Sequence, residues 1–196
     1  MILSALKVLE LNEKYNLIGN LSGREKNPEG TVIDLRIGQV HRIIGDSFLG
    51  ADETGGERYS PKTKTIGDFK TDGHKKFTIN PGEYYLVTTM EVIHSPPEKI
   101  KISGDLPEAY LIPKISPRSS LQRGGISLHF TGTNPGYKGE LTFGIKNQGD
   151  QYFTFELGAR MFSVEYHAVV GDIARAYSGQ HQGGRVTSSG EKEKQN

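Results

Sequence analysis

Apolar residues recur at helical spacing only near the start of the chain. Ala5, Leu6, Val8, Leu9 and Leu11 form a short stripe, and Ser4 before them can cap a helix. Beyond that point the pattern changes. Short runs rich in β-branched and aromatic residues alternate with clusters of Gly, Pro and Asn. The runs predict strands at 31–37, 41–44, 76–79, 83–91, 109–113, 126–130, 140–146, 152–157 and 159–166. Turn signals roughly every 8–12 residues are those of an all-β sandwich or barrel.

Two stretches fall outside this rhythm. Residues 46–75 are polar and Gly-rich with little periodicity. A loop that long reads as a lid, a variable insertion or a mobile segment. Residues 178–196 are rich in Gly, Gln, Ser, Lys and Glu. They carry too little apolar surface to offset the entropy of ordering, and read as a flexible arm after a single domain at 1–177.

Composition narrows the function classes. A chain of 196 residues suits one domain with a real core, and 25 glycines supply its turns. A net charge of +1 gives no broad pull toward nucleic acid or an anionic membrane. No apolar run approaches the length of a membrane span, and the start lacks a secretory pattern. Cysteine is absent, which excludes disulfides and thiolate metal sites and fits a cytoplasmic protein.

The candidate chemistry is concentrated at 117–147, PRSSLQRGGISLHFTGTNPGYKGELTFGIKN. Arg118, Ser119 and Ser120 place a cationic fork and two short hydroxyl donors in three residues, a set that suits phosphate oxygens. On a strand Ser119 would point away from its neighbours, and a loop or a helix start would aim the set differently. The bland reading is a surface Arg pair with Arg123 and two turn serines. His129, between Leu128 and Phe130, reads first as a structural residue. The sequence has no H-x-E with P-C-x-x-C, no G-x-x-x-x-G-K-[ST] and no H-E-x-x-H. Zinc-deaminase, P-loop and zinc-protease chemistries are therefore excluded.

In this order the residues resemble the dCTP deaminase/dUTPase family. The opening MILSALKVLELNEKYNLIG resembles the helical start of dCTP deaminases, and TVIDLRIG at 31–38 resembles the first core strand. INPGE at 79–83 before YYLVTTMEVI, and PGYKG at 135–139, match further elements. RSSL with Arg123 and Gly124 is the most specific match, and Tyr177-Ser178-Gly179-Gln180 resembles the tail that closes over the nucleotide.

The resemblance implies an all-β β-clip fold, a dUTPase-like distorted barrel with a short N-terminal helix. It implies a homotrimer with sites between subunits, binding a pyrimidine deoxynucleoside triphosphate, dCTP or dUTP. Arg118 and Ser120 would hold phosphate, with Ser119 and Arg123 beside the reacting base. The turn from His129 through Asn134 to Tyr137 would read the base and pack on the deoxyribose, and Tyr177 and Gln180 would close the site. Mg²⁺ would arrive with the triphosphate, because it prefers phosphate and water to a protein cage.

Two departures bear on the reaction. Where dUTPases carry the Asp that activates water, this chain has Asn134, an amide that cannot act as a general base. Where dCTP deaminases carry a proton-shuttling Glu, it has Gly144. Glu140 shares the strand face by parity but lies about 13 Å away along the strand. A shifted register or a carboxylate from another subunit are the remaining routes. A smaller departure replaces the Lys before the tail Tyr with Ala176, with Arg175 one step away. The leading expectation is a dCTP deaminase-like hydrolase relative that binds nucleotide with impaired deamination or dUTP hydrolysis. The alternative is an inactive nucleotide-sensing or structural and regulatory trimer. Asn134→Asp and Gly144→Glu are the substitutions that would return a carboxylate.

Overall fold

The computed structural model describes residues 1–194. The chain opens with helix α1 (Ala5–Tyr15), capped by the Ser4 hydroxyl, which accepts from the Lys7 amide at 3.2 Å. Ala5, Val8 and Leu11 are buried. Leu6 is exposed, so the stripe is narrower than the sequence suggests. The helix stops at Asn16, which takes the left-handed conformation that Asn tolerates.

The strands that follow, in chain order, are β1 (Ile18–Gly19), β2 (Ile33–Ile43), β3 (Phe48–Leu49), β4 (Glu57–Tyr59), β5 (Thr63–Asp68), β6 (Lys76–Ile79) and β7 (Tyr84–His94). Then come β8 (Tyr110–Pro117), β9 (Ile126–His129), β10 (Lys138–Asn147), β11 (Phe153–Glu156), β12 (Arg160–Val169) and β13 (Glu193–Lys194). Two short helices interrupt them, α2 (Phe69–Asp72) and α3 (Ser119–Arg123). The main sheet runs β8-β12-β2-β7-β10-β9, with β5 on β2 and β1 on β7, and curls into a nearly closed barrel. Its two ends, β8 and β9, are joined by α3. Among the described residues no helix is long and apolar enough to cross a membrane.

The strands predicted at 31–37 and 41–44 are one strand, β2. Its first half pairs with β12, as at Asp34–Ser163, and its second half with β7, as at Val40–Val87. The register slips between Ile37 and Gln39, where the strand changes partners. Gly38 sits at the slip, and a Cβ there would lie 3.0 Å from the Thr89 carbonyl oxygen. The punctuation that read as a break is a bulge.

Segment 46–75 is more ordered than its composition suggests. It contains β3, β4, β5 and α2, and β5 pairs with the second half of β2. The residues beyond Ser178 fold back, and β13 pairs with β4. Residues 195 and 196, the end of the expected arm, lie outside the described residues.

The barrel interior is apolar and closely packed. Phe143 and Phe162 meet with ring centroids 4.5 Å apart. Tyr166 is fully buried, with its hydroxyl 2.6 Å from the Leu17 carbonyl oxygen. One charge pair is built into this frame. The Glu91 carboxylate is fully buried and accepts from Arg36 Nε at 2.7 Å and from the Arg36 amide at 2.8 Å. Arg36 also donates to the Asn20 carbonyl at 2.6 Å. Burial pushes the Glu91 carboxyl up, and the Arg36 bonds oppose that.

Removing one partner of a buried pair strands the other and its amide. Glu91→Ala is expected to lower stability by about 3 kcal/mol, read by denaturant unfolding.

Candidate functional site

The Arg-Ser-Ser set does not lie on a strand. Strand β8 ends at Pro117, and Arg118 is the extended residue from which α3 starts. The Arg118 amide donates to the Met161 carbonyl at 3.0 Å, and buried Leu121 seats the helix. The helix ends at Gly124-Gly125, where Gly125 takes a positive φ of 78° against Gly149. Ser119, Ser120 and Arg123 are left exposed.

Asp34 fixes Arg118. Its Oδ2 lies 3.2 Å from Arg118 Nε and 2.9 Å from an Arg160 nitrogen, while its Oδ1 accepts from Ser163 at 2.8 Å. Arg118, Ser119, Asp34, Arg160 and Arg24 line a cavity of about 320 Å³. The sequence placed Asp34 on a core strand but gave no sign that it orients Arg118.

A second cavity, about 460 Å³, opens between the 131–137 turn and the tail. It brings together Asn134, Tyr137, Tyr177 and Gln180. The turn is tight at Gly136, with φ 99°. Tyr137 is buried, donates to the Glu140 carbonyl at 2.6 Å, and packs on Tyr177 with ring centroids 5.7 Å apart. Burial first, then Tyr177 and Glu140, push its phenol up to about 12.

The tail is bonded to this edge by backbone. The Tyr177 amide donates to Pro135 at 2.6 Å, and the Gly183 amide to Lys138 at 2.9 Å. The Gln182 side chain bridges the Gly136 carbonyl, at 2.8 Å, and the Lys138 amide, at 3.0 Å. A Cβ at Gly139 would lie 2.7 Å from the Gly183 carbonyl carbon, so the close approach needs glycine. Arg58, His181 and Arg185 also line this cavity. Sequence reasoning missed them, because contacts between a segment without periodicity and a polar tail leave no local pattern.

His129 and Gly144 are cross-strand partners on β9 and β10. They share the outer sheet face with Tyr84. A Cβ on Gly144 would lie 2.6 Å from Tyr84 Cζ and nearer still to the phenol oxygen. The Tyr84 ring stands 5.8 Å from the His129 ring, and Ser127 Oγ is 3.1 Å from His129 Nε2. Burial raises the Tyr84 phenol further above neutral pH, so it is an uncharged donor or acceptor. Glu140 lies farther along β10, 3.8 Å from Lys70.

Within one chain the residues therefore fall into three groups. Arg118 and Ser119 border one cavity, with Ser120 and Arg123 exposed on the same helix. Asn134, Tyr137, Tyr177 and Gln180 border another, and His129 and Gly144 lie on the sheet face beside Tyr84.

The model of the family described as dCTP deaminase-like matches residues 2–169. The chain belongs to the dCTP deaminase-like family. A dCTP deaminase of Halorubrum lacusprofundi is 26% identical over 185 residues, 90% of this chain and 82% of that one. A probable deoxyuridine 5'-triphosphate nucleotidohydrolase of Methanothermobacter thermautotrophicus is 27% identical over 150 residues, 76% of this chain and 84% of that one. The fold matches the crystal structure of 2'-deoxycytidine 5'-triphosphate deaminase from Agrobacterium tumefaciens, with a TM-score of 0.55 at 16% identity. That match covers 84% of this chain and 47% of the other, so this chain spans about half its length.

For this dCTP deaminase-like chain, Tyr84 changes the meaning of Gly144. The room a carboxylate would need is filled by a phenol, so a side chain there must push Tyr84 away from His129. Gly144→Glu alone is expected to cost about 1–3 kcal/mol as overpacking. Gly144→Glu with Tyr84→Ala is expected to recover most of that in the same thermal or denaturant unfolding experiment.

Proposed function

We propose that this chain binds a pyrimidine deoxynucleoside triphosphate, dCTP or dUTP, at sites shared between subunits of a homotrimer, and turns it over slowly. One observation carries the reading: the candidate polar groups border two separate cavities in a single chain. Helix α3 presents Arg118, Ser119 and Ser120 to solvent beside a small cavity. The 131–137 turn and the tail enclose a larger one with an aromatic floor. A second copy would set the phosphate-binding donors of one chain against the base-sized cavity of another. Arg118 suits this role because Asp34 holds its Nε and leaves the terminal nitrogens for a phosphate fork.

The slow chemistry follows from the groups present. Asn134 borders the larger cavity but cannot take a proton from water near neutral pH. Gly144 contributes no side chain, and the Tyr84 phenol beside it is neutral near pH 7. Loss of a positioned general base costs about 10²–10⁴-fold. Binding with slow turnover would serve a nucleotide sensor as well as a weak enzyme. Mg²⁺ belongs with the triphosphate in this account. Among the described residues no group of three or more His, Asp or Glu converges to cage it, and no step is drawn through it.

Calorimetry with dCTP, dUTP and the matching nucleosides, with Mg²⁺, tests binding. Ammonia and pyrophosphate assays on the same sample test turnover. The triphosphates are expected to bind more tightly than the nucleosides, and Arg118→Ala to weaken them by about 1.5–3 kcal/mol. Rapid turnover of either nucleotide would contradict the slow chemistry. No binding of either triphosphate at millimolar concentration would contradict the nucleotide reading.

A further inference from the structure

The larger cavity holds a cation and an acceptor that the fold leaves unused. Arg58 projects into it from β4. Its guanidinium is half-buried and has no ion pair or hydrogen-bond partner among the described residues. Gln180 lines the same cavity. Its amide nitrogen donates to the Lys194 carbonyl at 2.9 Å, while its buried Oε1 has no donor among the described residues. Arg185, also in the lining, is neutralised by Glu193 and lies 3.9 Å from Glu191. The uncompensated positive charge facing this space is therefore that of Arg58.

Arg58 is held there by an interlock between segment 46–75 and the tail. Strand β13 pairs with β4, with Glu193 opposite Arg58 itself. Ser188, almost fully buried, is bonded to Ser60: the Ser60 amide donates to Ser188 Oγ at 2.8 Å and the Ser188 amide donates back to Ser60 Oγ at 2.5 Å. The Gly190 amide adds a bond to the Ser60 carbonyl at 3.0 Å. The tail is thus fastened at two places, to the β10 edge and to the inserted segment, and the cavity lies between them. The Arg58 guanidinium faces an open cavity where an anion can replace its hydrating water, and a buried amide oxygen without a donor is costly to leave unpaired.

We infer that Arg58 is an anion-binding residue of this cavity, contributed by the inserted segment and positioned by its latch to the tail. The ligand brings an anionic group to Arg58 and an N–H or O–H donor to Gln180 Oε1. Resting on the nucleotide reading above, the anion is the phosphate chain of the nucleotide. Arg58 then joins Arg118 of the adjoining subunit as a second phosphate contact.

The test is calorimetry on the intact protein with a non-hydrolysable dUTP analogue, deoxyuridine and inorganic tripolyphosphate, comparing wild type with Arg58→Ala. Arg58→Gln is the second variant, because it keeps the strand and the length of the stem. Proteolysis of the tail checks that β13 stays paired. The variants are expected to weaken the triphosphate at least about tenfold while leaving deoxyuridine unchanged. Unchanged triphosphate affinity in Arg58→Gln, with the tail still protected, overturns the inference. If wild type binds no nucleotide, the nucleotide reading fails and tripolyphosphate decides. Arg58-dependent binding of tripolyphosphate supports an anion site of another kind, and its absence removes the inference as well.

Discussion

The structure depends on how β2 changes partners. One strand serves two half-barrels, β8 and β12 on one side and β7, β10 and β9 on the other. At the crossing its backbone leaves one neighbour before it meets the next, and an amide would be stranded in an apolar interior. Glu91 supplies the missing acceptor to the Arg36 amide and holds the Arg36 side chain with its other oxygen. A buried carboxylate is an expensive way to do this, and only the paired guanidinium and the amide make it tolerable. The crossing also sets the distance between functional parts. Arg118 follows β8, the turn precedes β10, and α3 spans the gap between the two halves.

Around that frame the polar chemistry is arranged at edges. Strand β10 begins at an edge that would otherwise expose backbone donors and acceptors, and the tail covers it through Pro135, Gly136 and Lys138. Covering an edge with a polar tail leaves space beneath, which is where the larger cavity forms. Among the glycines where a Cβ would meet a neighbour closely are Gly38 under Thr89, Gly139 under Gly183, and Gly144 under Tyr84. The first two are matters of packing. At the third, the neighbour that a Cβ would meet is the Tyr84 phenol.

Much of the barrel was legible in the sequence. The strand at 76–79 has the predicted bounds, and β7, β10 and β12 extend the predicted runs by a few residues. Alternating burial on one face made those runs visible, as in β10, where Leu141, Phe143 and Ile145 point inward. The short strands β3 and β4 were not legible, because their residues are largely exposed and their pairing is with each other and the tail. A helix start, a loop and a strand were all open for the Arg-Ser-Ser set, and five residues carry no helical period to decide between them. The resemblance brought out the Arg-Ser-Ser set and the turn. It could not bring out Asp34 behind Arg118, Arg58 across the cavity or Tyr84 over Gly144. Each of these is a contact across more than fifty residues of chain.

The central claim is a composite nucleotide site without a positioned carboxylate base. It is tested most directly by a crystal structure of the protein with a non-hydrolysable dUTP or dCTP analogue. The account expects a trimer with the phosphates on Arg118 and Ser120 of one subunit and the base against the 131–137 turn of its neighbour. It expects the Tyr84 phenol still to cover Gly144. Nucleotide bound wholly within one subunit, or an Asp or Glu carboxylate within hydrogen-bond reach of the reacting base or of a water aligned on the α-phosphate, would contradict it.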